Sequence, residues 1–124
     1  MYEYRDVSVL LGETLVELTK FEDTALHFTT ASGKKYIMYH QEQCCEGVWI
    51  ESIVGDLSDL TGEPLLIAEA VSSDGVPPIE PVWGDNAYLW TFYKFATRKG
   101  YVDIRWYGTS NGYYSVGVDF VQVE

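Results

Sequence analysis

The chain has 124 residues, 47% hydrophobic and 22% charged, which fits one globular domain over residues 1–124 and excludes wholesale disorder. Its formal charge of −11 argues against direct nucleic-acid binding, because a phosphate backbone is repelled over most of such a surface. No run reaches the roughly 18 apolar residues that a membrane span needs, and MYEYRDVSVLLGE lacks the features of a signal peptide, so a cytosolic protein with no membrane partner is expected.

Hydrophobic periodicity is mostly two rather than 3.6, which predicts strands. Thr14 to Phe21 reads as one strand and Ala25 to Thr30 as the next, with Leu26 and Phe28 on one face. Ser32-Gly33-Lys34 turns the chain into Tyr36 to His40, where Tyr36, Met38 and His40 share a side. Cys44 to Ile53 is ambiguous: Val48, Ile50 and Ser52 alternate with Trp49, Glu51 and Ile53, as in a strand covered on both faces. Gly55 to Pro64 predicts a short helical turn, with Leu57 and Leu60 three apart and Asp56 as its N-cap. Leu65 to Val71 suits a strand, although its Ala/Glu content also suits a helix. Ser72 to Asn86 holds three of the four prolines and is the main loop.

Beyond that loop, Tyr88 to Thr97, Tyr101 to Tyr107 and Tyr113 to Val123 read as strands joined at Arg98-Lys99-Gly100 and Asn111-Gly112. The expected architecture is mainly β to α+β. It has an antiparallel sheet of about six or seven strands, a C-terminal three-stranded meander and one or two short helical turns.

Charge and aromaticity are segregated along the chain. The 52 residues from Glu42 to Tyr93 carry ten carboxylates and no Lys or Arg. The 27 residues from Tyr88 to Tyr114 hold ten aromatics together with Lys94, Arg98, Lys99 and Arg105. A sheet face of Tyr, Trp, Arg and Asp residues can stack a base and hold a phosphate with a guanidinium. Tyr is also an ordinary strand residue in cross-strand pairs, and that plainer reading is the commoner one.

Other constellations are weaker. His40, Cys44, Cys45 and Glu46 are metal-ligand types, but adjacent thiols with no second pair do not match a structural zinc site. Both cysteines are read as reduced, and a thiol nucleophile with His40 or His27 as base has no spacing to support it. Glu51, Asp56, Asp59 and Glu63 form an acidic patch without the ligand pattern of a calcium loop. Thr109-Ser110-Asn111-Gly112 offers backbone N–H groups to an anion or simply reverses a hairpin, and the hairpin is the commoner outcome. No catalytic residue, metal or cofactor is expected.

HQEQCCEGVWIESIVGDLSDLTGEPLLIAEA (His40 to Ala70) together with LWTFYKFATRKGYVDIRWYGTSNGYYS (Leu89 to Ser115) resembles an uncharacterised family of small bacteriophage and prophage proteins. The family pattern runs close to H-x-Q-x-C-C-E-x-V-x-I-E-x-I-x-G-D-L-x-D-L-x-G-x-P, then W-T-F-Y-K-x-A-T-x-K-G-Y-V-x-I-R-W-Y-G-x-S-N-G-Y-Y-S after a variable loop. Here Arg98 and Lys99 stand at the x-K before Gly100. The chain is also similar, more loosely, to the oligomeric sponges that antagonise the Thoeris defence system.

These resemblances imply a non-enzymatic anti-defence protein in the host cytoplasm, a homo-oligomer that sequesters a nucleotide-type immune signal such as a cyclic ADP-ribose isomer or a cyclic oligonucleotide. In that reading Arg105 holds a phosphate, Trp90, Tyr93, Tyr101 and Tyr107 stack the base, and Asp103, Ser110 and Asn111 read ribose or base edges. The alternative is an acidic inhibitor that occupies the nucleic-acid groove of a host defence nuclease through Glu42 to Asp85.

Overall fold

Period-two alternation becomes strand along most of the chain. The computed structural model describes residues 2–42, 46–73, 87–110 and 116–123. Among them are β1 (Tyr2–Tyr4), β2 (Leu15–Phe21), β3 (Ala25–Thr30), β4 (Lys35–Tyr39) and β5 (Gly47–Val54). After these come β6 (Ile67–Ser73), β7 (Ala87–Thr97), β8 (Gly100–Ser110) and β9 (Asp119–Val123). The only helices among the described residues are two 3₁₀ turns, Val7–Leu10 and Leu57–Leu60, so the fold is mainly β.

The strands form two antiparallel sheets rather than the single sheet expected. One has the order β1-β9-β4-β3-β2 and the other β5-β8-β7-β6. The predicted C-terminal meander is corrected in one respect. β7 and β8 pair over their full length, from Ala87↔Ser110 to Thr97↔Gly100, but the last strand does not follow them. The free side of β8 is taken by β5, from Gly47↔Thr109 to Val54↔Asp103. β9 instead crosses to the other sheet, between β1 and β4. The crossing is tight at Gly108, where a Cβ would come within 2.6 Å of the Val116 carbonyl oxygen.

The sheets close over one hydrophobic cluster. Leu26, Phe28, Tyr36, Met38 and Phe120 come from one sheet, and Ile50, Phe95, Val102, Ile104 and Trp106 from the other. Phe120 stacks on Tyr36 at 5.2 Å, and Phe28 meets Phe95 at 6.0 Å across the layer. The buried Trp106 indole N–H donates to the Met38 sulfur at 3.3 Å, linking β8 to β4. The alternation of Val102, Ile104 and Trp106 toward the core is as read from the sequence. In β5 a bulge between Ile50 and Ser52 reverses the alternation, so Ile53 rather than Ser52 faces inward with Ile50.

The second 3₁₀ turn opens as predicted. The Asp56 side chain accepts from the Ser58 backbone N–H at 2.9 Å and from its hydroxyl at 2.7 Å. Those bonds hold the Asp56 carboxyl below its usual range. The β7–β8 turn clamps this element: Lys99 donates to the Ser58 carbonyl at 3.1 Å, Thr97 to the Asp59 carbonyl, and Arg98 pairs with Glu63 at 2.7 Å. Gly55, at φ +109°, leads into it with its α-carbon close against β8, and an added Cβ would press into the Tyr101 carbonyl oxygen. Gly55→Ala is therefore expected to destabilise the fold by about 1–3 kcal/mol. The check is a lower denaturant midpoint at an unchanged slope.

Candidate ligand-binding face

In an antiparallel pair, residues directly opposite each other lie on the same face, so register assigns the outer surface of the second sheet. Trp90 lies opposite Tyr107, Phe92 opposite Arg105, and Lys94 opposite Asp103. β6 adds Val71 beside Phe92 and Glu69 beside Lys94. β5 adds Trp49 beside Tyr107, Ser52 beside Arg105 and Val54 beside Asp103.

The aromatic residues on this face pack on one another. Trp90 and Tyr107 have ring centroids 4.6 Å apart, Trp49 meets Tyr107 edge-on at 5.2 Å, and Phe92 lies nearly parallel to Trp90 at 6.4 Å. The Arg105 guanidinium carbon sits 5.1 Å from the Trp90 centroid, a cation–π contact. The same guanidinium is fixed by Glu51, whose Oε2 lies 2.5 Å from both Nε and Nη2. The β5 bulge between Ile50 and Ser52 brings Glu51 to Arg105. Beside this cluster lies an open depression of about 490 Å³, lined by Ser52, Val54, Val71, Phe92, Lys94 and Arg105 among others. Its floor is apolar, and Lys94 stands between Glu69 and Asp103 in the strand register.

Five of the eight residues assigned to the ligand from sequence share this face: Trp90, Tyr101, Asp103, Arg105 and Tyr107. Of the eight, Asp103, Arg105 and Tyr93 border the depression. Trp90 and Tyr107 are 5% and 1% exposed, so they form a packed base rather than open stacking surfaces. Tyr101 is 73% exposed and lies opposite Ala96, at the end of the strand pair.

Two assignments are corrected. Tyr93 borders the depression, but it lies opposite Ile104 and its side chain joins the core, so it offers no open ring beside Trp90. Burial raises the pKa of its phenol, and Asp119 and Asp6 add to that shift. Ser110 is 1% exposed, too deep to read a ligand edge. Asn111 lies outside the described residues, as do Gly112, Tyr113 and Tyr114. Phe92, Lys94, Val54 and Val71 were not assigned from sequence. For Phe92 and Lys94 the signal was their alternation with Trp90; for Val54 and Val71 it was the pairing partner, which sequence does not give.

The other constellations resolve differently. His40 and Glu46 meet each other, Nε2 to Oε2 at 2.8 Å, with side chains 7% and 0% exposed. The His40 Nδ1–H donates to the Gly117 carbonyl at 2.6 Å. Cys44 and Cys45 lie outside the described residues. The acidic patch is divided among local partners, with Glu51 on Arg105, Asp56 on Ser58 and Glu63 on Arg98. Among the described residues no three metal-ligand side chains come together, and no helix is long and apolar enough to cross a membrane.

Comparison with curated proteins and with solved structures finds no match. A family model does match, over residues 8–120, and that span takes in both sheets from the first 3₁₀ turn to the start of β9. The chain belongs to the family described as Domain of unknown function (DUF7448).

Proposed function

We propose that the protein is a non-catalytic binding protein whose outer sheet face takes up a nucleotide-type small molecule. The observation that carries the reading is the depression of about 490 Å³, within the range of small-ligand sites, beside a fixed guanidinium and an exposed ring. Phe92, 36% exposed, is the open stacking surface, with Trp90 alongside it on β7. Glu51 occupies the Nε and Nη2 side of Arg105, and no described residue bonds Nη1, which is the side offered to a phosphate oxygen. Lys94 supplies the second positive charge. The face is not strongly cationic, so stacking is the larger contribution, worth roughly 1–3 kcal/mol per base.

The phage-family pattern in the sequence extends this reading to an anti-defence role. The protein would act in the host cytoplasm as a homo-oligomer that sequesters a nucleotide immune signal. The alternative, an acidic inhibitor of a host nuclease, is the weaker one, because Glu51 and Glu63 are engaged within the chain.

The test is native mass spectrometry of protein purified from cells with an active nucleotide-signalling defence, alongside the variant Phe92→Ser. The wild type is expected to retain a ligand that fragments to a nucleobase. Phe92→Ser is expected to lose it while costing no more than about 1 kcal/mol of stability. A wild type free of ligand, or a variant that keeps it, overturns the proposal.

A further inference from the structure

A second recess, of about 240 Å³, lies on the opposite side of β6 and β7. Here the inner face of the edge strand looks onto the N-terminal turn rather than onto another strand. Register places Ser72 opposite Thr91 and Ala70 opposite Tyr93, all turned away from the outer face. Arg5 and Asp6 close one side, and Val7 and Phe120 provide apolar walls.

The telling groups are two hydroxyls. Thr91 and Tyr93 are 5% and 4% exposed, line the recess, and have no hydrogen-bond partner among the described residues. Neither oxygen is sealed from solvent. Their equally buried counterparts are satisfied within the chain. Thr30 shares a hydrogen bond with Ser32 at 2.9 Å, and Thr97 donates to the Asp59 carbonyl. Both hydroxyls are therefore free to exchange hydrogen bonds with whatever enters the recess, water or a ligand that displaces it and reproduces its bonds.

The remaining groups select its chemistry. Asp6 uses Oδ1 to cap the Ser8 N–H at 2.9 Å, which leaves Oδ2 as an acceptor. Asp119 adds negative potential near the Tyr93 phenol. The Arg5 guanidinium is held by Glu3 and by the Tyr4 carbonyl. An anion is therefore disfavoured, whereas a molecule whose hydroxyls both donate and accept matches one carboxylate and three hydroxyls. The volume lies below the roughly 300–1,000 Å³ of sites for drug-sized ligands, so the occupant is about one ring in size.

We infer that this recess binds an uncharged polyhydroxyl ring, a free sugar or the ribose of a nucleoside, with Asp6 accepting from its hydroxyls and Ser72, Thr91 and Tyr93 exchanging hydrogen bonds with it. The recess opens on the other side of β6 and β7 from the outer face, and Tyr93 borders both hollows.

The experiment is an amide NMR titration of the full chain with ribose and, separately, with adenosine. Shifts are expected around residues 5–7, 70–72 and 91–93. The double variant Thr91→Val, Tyr93→Phe keeps the side-chain shapes and is expected to weaken binding about tenfold, with each single variant intermediate. Ribose has no base to stack on Phe92, so its affinity should be the same in Phe92→Ser, and failure here and failure on the outer face are distinguishable. In the Phe92→Ser background, equal affinity for both probes identifies a free sugar as the ligand, and tighter binding of adenosine, with shifts at residues 5–7 and 70–72, identifies a nucleoside. Absence of shifts with either probe, undiminished affinity in the double variant, or the same shifts with ethylammonium but not with ribose overturns the inference.

Discussion

Replacing Trp106 with alanine is expected to lower the unfolding free energy by about 3–5 kcal/mol, the largest single-residue loss in the core. Trp106 is 0% exposed and stands in β8 between Ile50 of β5 and Thr91 of β7. Its ring fills the space between the sheets, and its N–H reaches Met38 on the far layer. Two further variants separate volume from hydrogen bonding. Trp106→Phe keeps an aromatic ring and removes the donor together with part of the volume, so it should fall between wild type and alanine. Met38→Leu conserves volume, which by itself costs less than about 1.5 kcal/mol. It also leaves the indole N–H buried without its acceptor, adding about 1–3 kcal/mol. Urea midpoints for the three proteins provide the check. A Met38→Leu midpoint equal to wild type would show that the N–H···S contact contributes nothing.

The strands were legible in the sequence because their alternation has a physical cause. Leu26 and Phe28, Tyr36 and Met38, and Val102, Ile104 and Trp106 each face the core at every second position. The Asp56 cap was legible for a similar reason: its side chain needs only its own neighbours to bond the Ser58 N–H. What alternation does not encode is which strand lies alongside. Asn111-Gly112 after β8 predicted a hairpin into the last strand, yet β5 occupies that side of β8. β1 was not predicted because three residues carry too little pattern. It exists through its pairing with β9, from Tyr2↔Val123 to Tyr4↔Val121.

The candidate site was legible to the same depth. Period two already set Tyr93 and Trp90 on opposite faces, but with aromatics on both it did not say which face is inside. The segregation of charge along the chain has a structural meaning that composition alone did not reveal. Arg98 and Arg105, from the cationic third, pair with Glu63 and Glu51, from the acidic middle. Much of the apparent cationic surface is therefore neutralised within the fold, and this is why stacking rather than charge leads the proposed recognition.

The second large effect is expected at Glu46. The Gly117 carbonyl can only accept, so His40 Nδ1 carries its hydrogen. The 2.8 Å contact between Nε2 and the Glu46 carboxylate must then hold one more proton, on the imidazole or on the carboxyl. His40 follows β4, Glu46 precedes β5 and Gly117 precedes β9, so the pair ties together the segments where the chain crosses between sheets. Glu46→Ala leaves a buried imidazole nitrogen without its partner and is expected to cost about 3–5 kcal/mol. Glu46→Gln restores a donor of the same shape, since the amide N–H₂ can donate to Nε2 of a neutral imidazole, and should recover at least half of that loss. Chemical denaturation of both variants decides the matter. Loss in Ala with recovery in Gln means that a hydrogen bond, not a net charge, holds the crossover. Equal losses in the two would show that the ionic form is required, and wild-type stability in Glu46→Ala would show that the pair does not hold the sheets together.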